Sequence, residues 1–149
     1  MKTIIWRHRR ENLQKCSLRP LEGRPDIDFY SYPDEPLPDL TGYVLLKVGA
    51  PPLSPADADR GLLLLDGTWN LAARMERQLS PFLEGRSLPE GYRTAYPRKQ
   101  TGCPDSEAGL SSVEALYLAY LLMGRDPSGL LDSYYWRDAF LEKNGFREK

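Results

Sequence analysis

Residues 62–69 read Leu-Leu-Leu-Leu-Asp-Gly-Thr-Trp, and four leucines closed by a carboxylate leave few folding options. A short run that is apolar at every position predicts a strand buried on both faces, as in an α/β sheet layered on either side. From Asn70 the apolar positions Leu71, Met75 and Leu79 recur every four residues, which predicts one face of a short helix ended by Pro81. In open α/β sheets ligands bind at the carboxyl ends of strands, so Asp66 and Trp69 stand where chemistry is expected. The plainer alternative is that Asp66 and Thr68 cap the helix while Trp69 fills core.

The other elements agree with this class. Ile4 and Ile5 suggest an edge or first strand over residues 1–6, and Tyr30 and Tyr32 alternate with polar neighbours in a short strand. A further strand is expected over 43–48, a helix start at Ser54-Pro55, and a short strand over 92–96. Ser111-Ser-Val-Glu is a capping-box pattern opening a helix over 112–123, apolar nearly all round and therefore buried, with Gly124 as its stop. A last helix is expected over 129–143. The chain is thus α/β over 1–110 with a helical C-terminal part over 111–149. At 149 residues these are expected to form one compact unit, an ordinary domain or one core with a helical extension.

Net charge is −1, which excludes a generally basic protein, but cations gather at Arg7, Arg9, Arg10, Lys15 and Arg19 and again at Arg93, Arg98 and Lys99. Brought together, these clusters would follow a phosphate backbone; apart, they are solvated faces. Cys16 and Cys103 are far apart, with no CxxC or Cys/His spacing, so no metal site or disulfide framework is expected. His8, the single histidine, lies in Arg-His-Arg-Arg and is expected at the surface. With no signal-peptide pattern and no membrane-length apolar run, a soluble cytoplasmic protein is expected.

Four segments in order resemble the RNA 3-amino-3-carboxypropyltransferases related to the SPOUT methyltransferases. They are Lys-Cys-Ser at 15–17, Leu-Ser-Pro-Ala-Asp at 53–57, Asp-Gly-Thr-Trp at 66–69, and Leu-Ser-Ser-Val-Glu-Ala at 110–115 with Tyr-Trp at 135–136 and Phe-Leu-Glu-Lys-Asn at 140–144. The start and end resemble the ribosomal-RNA branch. Gly67-Thr68-Trp69 and Arg98-Lys-Gln instead resemble the DTW-domain branch, which modifies transfer RNA, and Ala95-Tyr-Pro stands where the ribosomal branch has Ala-Asn-Pro.

The resemblance implies a SPOUT-like sheet, and it allows a knot at the cofactor site that nothing in the element pattern suggests. It implies transfer of the aminocarboxypropyl group of S-adenosylmethionine, the co-substrate, to a uridine-type base nitrogen in RNA. Ribosomal RNA is preferred over transfer RNA. No metal is required, and a monomer is expected. Asp66 would be catalytic, holding the substrate amino group or accepting the base proton. Ser17 would bond the donor carboxylate, and the backbones of Leu65 and Leu110 would hold ribose and adenine. Trp69 would wall the aliphatic chain and face the sulfonium, and Ala72 would leave room. RNA would approach over Lys15, Arg19, Arg98 and Lys99, with Tyr96 stacking on an exposed base. Plain alternatives stand beside these roles: core for Leu65 and Leu110, a turn for Ser17, helix filler for Ala72. Two rival functions remain, a SPOUT-type RNA methyltransferase and a non-catalytic RNA-binding or ribosome-assembly protein.

Overall fold

In the computed structural model the leucine run becomes β4 (Gly61–Asp66), the middle strand of a five-stranded sheet. The structure describes residues 2–9, 18–67, 69–81, 83–89, 91–95 and 110–146, with Trp69 described by its backbone alone. The other strands are β1 (Thr3–His8), β2 (Ile27–Tyr32), β3 (Tyr43–Leu46) and β5 (Glu84–Arg86). Their order is β2-β1-β4-β3-β5 and every pairing is parallel. Parallel neighbours require crossovers, so helices and loops cover both faces and the central strands are apolar on both.

Strand alternation sorts the core into two layers. Ile5, Leu62, Leu64 and Val44 face one side, where they pack with α2 (Ser112–Met123) and with Phe140 of α3 (Arg137–Lys143). Ile4, Trp6, Leu63 and Leu45 face the other, against Met75 of α1 (Trp69–Glu76). The first layer is the larger, and α2 is its spine: Val113, Leu116, Leu118, Ala119 and Met123 are each almost wholly buried. Among the described residues no helix is long and apolar enough to cross a membrane.

Several expectations need correction. β1 is the first strand in the chain, one of the two alternatives expected, but it is interior and not an edge, flanked by β2 and β4, and it runs on through His8. His8 is therefore buried, at 6% exposure, with its ring 5.2 Å from that of Tyr32. Residues 92–95 form no strand; the fifth strand is Glu84-Gly-Arg, too short and polar to advertise itself. The expected helix over 129–143 is a series of turns followed only by α3. Gly129 takes a left-handed φ of 86°, outside the helical region, and Leu130 and Leu131 bury their side chains from the turn that follows. The Ser54-Pro55 signal delivers a capped 3-10 turn, Pro55–Asp57, not a longer helix.

Candidate active site

The sheet order itself nominates a site. From β1 the chain goes outward to β2 at one edge, and from β4 it goes through α1 to β5 at the other. The carboxyl ends of these two neighbouring strands therefore feed loops that part in opposite directions, opening the crevice where ligands bind in such sheets.

Two charges sit at its floor. Arg7 and Asp66 are register partners on β1 and β4, and both point to the α2 side by strand alternation. Arg7 Nε donates to Asp66 Oδ2 at 3.2 Å. One Nη of Arg7 donates to Glu22 Oε2 at 2.8 Å, and the guanidinium lies 4.7 Å from the centre of the Phe29 ring. Asp66 is buried, and its second oxygen accepts from Ser112 Oγ at 3.2 Å. Ser112 is the first residue of α2, so the carboxylate also meets the positive end of a twelve-residue helix. A depression of about 880 Å³ opens beside the Arg7–Glu22 pair, lined also by His8, Arg9, Phe29 and Ser31.

The helix terminus is fixed from within. Ser111 caps α2 by accepting from the Glu114 amide, and Glu114 reaches back to accept from the Ser111 amide at 2.8 Å, completing the expected capping box. The same fully buried carboxylate accepts from Thr94 Oγ1 at 2.6 Å, the Ala95 amide at 2.9 Å and Tyr134 Oη at 3.0 Å. One side chain thus ties α2, the described stretch 92–95 and the turn before α3 into one support. A buried carboxylate needs this many donors to offset lost hydration.

Of the residues nominated from sequence, Asp66 lies in the crevice and Leu65 precedes it, half-buried on the α1 side of the sheet. Ala72 lies in α1 beside Gly67, where a Cβ would stand 3.8 Å from the Ala72 amide. Leu110 is half-buried two residues before Ser112. Arg19 is exposed in a 3-10 turn, Arg19–Leu21, that leads into Glu22. Lys15, Ser17, Tyr96, Arg98, Lys99 and the side chain of Trp69 lie outside the described residues. The structure adds three residues that the sequence reading passed over. In the sequence Arg7 belongs to a basic run, Ser112 follows a cap residue, and Glu22 sits in no motif. Alternation along Thr3, Ile5 and Arg7 was the available signal, but it needs the β1–β4 register to become a prediction.

Among solved structures, the chain is similar to that described as the SAM-dependent rRNA:acp-transferase Tsr3 from Vulcanisaeta distributa. The likeness has a TM-score of 0.73 at 20% identity and covers 97% of this chain and 78% of that one. At that identity it establishes the α/β fold. No protein-family model matches the chain, and no curated protein does.

Proposed function

We propose that this chain transfers the 3-amino-3-carboxypropyl group of S-adenosylmethionine to a base nitrogen in RNA, with ribosomal RNA preferred over transfer RNA. The observation that carries the reading is Asp66, a buried carboxylate at the crevice between β1 and β4, in a fold shared over 97% of the chain with an rRNA:acp-transferase. The four sequence segments support it independently. A SPOUT relationship, with a knot at the donor site, belongs to the same reading, as do a cytoplasmic setting and a monomer.

The acceptor nitrogen attacks the aminocarboxypropyl carbon next to sulfur. The new C–N bond forms as the C–S bond breaks, sulfur keeps the bonding pair, and neutral methylthioadenosine leaves. The base N–H proton passes to solvent or to a nearby base. All three carbons on the sulfonium are activated, so product choice is a matter of alignment. Asp66, held at both oxygens, serves as a fixed anchor for the donor's ammonium group. Trp69 and Ala72 enclose the methyl side, and the backbones of Leu65 and Leu110 hold ribose and adenine. Ser17 binds the donor carboxylate. Lys15, Arg19, Arg98 and Lys99 carry the RNA backbone, and Tyr96 stacks on the extruded base.

Calorimetric titration with S-adenosylmethionine and, separately, methylthioadenosine tests the donor site. Saturable binding of both is expected. Asp66→Asn should weaken S-adenosylmethionine about tenfold or more while sparing methylthioadenosine, which lacks the amino group. Intact affinity with turnover lost would make Asp66 the proton acceptor instead. Incubation with total RNA from cells lacking the protein should release methylthioadenosine; S-adenosylhomocysteine would signal methyl transfer, and no binding of either molecule would leave an RNA-binding protein.

A further inference from the structure

We propose that Arg7 is a positioning residue for this transfer: it aims the Asp66 carboxylate and offsets its charge in front of the sulfonium donor. The proposal rests on the transferase reading above and concerns a residue that no sequence motif marked.

The geometry is that of a clamp. Arg7 grips Asp66 through Nε and Glu22 through one Nη, and its flat face is backed by Phe29. A planar fork held at two points and backed by a ring cannot rotate freely, so its hold on Asp66 Oδ2 has a fixed direction. Ser112 Oγ donates to the other oxygen, Oδ1. The plane of the carboxylate is thus determined before any ligand enters, which is what a contact that must select one of three activated carbons requires.

The charges follow the same logic. Counted over these three described residues, one cation between two carboxylates leaves the Arg7–Asp66–Glu22 cluster with a single negative charge in excess. The donor carries sulfonium and ammonium against one carboxylate, a single positive charge in excess, so cluster and donor match. As the C–S bond breaks, the sulfonium charge disappears. Any group that favours the sulfonium therefore holds the reactant more firmly than the transition state and slows the reaction. A buried Asp66 without Arg7 would be such a group. With Arg7, the carboxylate keeps its anchoring contact while its pull on the sulfonium is reduced.

The separation of binding from rate distinguishes this role from a purely structural ion pair. Wild type, Arg7→Met and Arg7→Lys are compared by calorimetric affinity for S-adenosylmethionine, by affinity for uncharged methylthioadenosine, and by single-turnover release of methylthioadenosine with total RNA from cells lacking the protein. Arg7→Met should slow release about 10- to 100-fold, leave S-adenosylmethionine affinity unchanged or tighter, and leave methylthioadenosine affinity unchanged. Arg7→Lys keeps the charge but not the two-point grip, so it should bind the donor as wild type does and react at an intermediate rate. An unchanged rate, or donor affinity lost in step with rate, overturns the proposal. Should Arg7→Met fail to fold, seen as loss of methylthioadenosine binding, a wild-type rate in Arg7→Lys overturns it equally. A wild-type protein that binds neither molecule refutes the transferase reading first, and this proposal with it.

Discussion

A single buried carboxylate, Glu114, holds together the support behind the start of α2. Its four donors come from Ser111, Thr94, Ala95 and Tyr134, so three stretches of chain meet at one buried charge. Replacing it by alanine strands several buried donors at once, and Glu114→Ala should lose about 3 kcal/mol or more, read as a lower urea midpoint. Glu114→Gln keeps one acceptor oxygen but turns an amide towards groups that themselves donate, so it should fall between. Equal stability of Glu114→Ala and wild type would mean that the side-chain contacts of Glu114, its half of the capping box included, contribute nothing net. The cap was legible in Ser-Ser-Val-Glu because both partners lie within one helical turn. The other donors were not, because Thr94 and Tyr134 stand 20 positions away on either side and only the tertiary fold supplies them. Arg7 and Asp66, 59 positions apart, were hidden for the same reason, although the carboxylate at the strand end was itself plain.

Elements were readable where one face, or both, had to be dry. β3, β4 and α2 announce themselves by runs of leucine, valine and tyrosine, and their limits fall within two residues of expectation. β5 gives no such signal: it is a strand of three residues, paired among the described residues only with β3 and held by the ion pairs of Glu84. β1 was readable as a strand but not as an interior one, because strand order depends on the crossovers. Gly61 shows how closely the strands are fitted. It opens β4 opposite Tyr43, and a Cβ at Gly61 would fall inside the space occupied by the Tyr43 ring. Gly61→Ala must therefore push that ring aside and should cost about 1–3 kcal/mol. Gly61→Ala/Tyr43→Ala should regain part of this relative to the sum of the single losses, a coupling that a double-mutant cycle measures. Strict additivity would show that the ring is not the obstacle.

At the scale of the molecule, charge binds the sheet's far edge to its middle. Arg60 and Arg86 both pair with Asp57 and with Glu84, linking the turn before β4 to β5. Hydrogen bonds from Arg60 and then from Arg86 draw the Glu84 carboxyl from its ordinary 4.5 to about 2. A carboxyl held lower in the folded than in the unfolded chain stabilises fully above 4.5, and that contribution drains away as pH falls through 2. Glu84→Gln should therefore be less stable than wild type at pH 7, by a small margin because solvent screens the network, and the two should converge as pH approaches 2. Urea midpoints at pH 7, 4 and 2.5 measure the gap, and a gap that does not narrow would assign the effect to packing. The all-parallel order has one more consequence, for the chain as it is being made. β1 and β2 can pair once the first thirty or so residues are free, but the other side of β1 has no partner until β4 follows, and Ser112 comes later still. A growing chain on the ribosome therefore carries an open, apolar strand edge until β4 has emerged, inviting mispairing with other nascent chains. It gains its complete crevice only when Ser112 and the helix it opens have emerged as well.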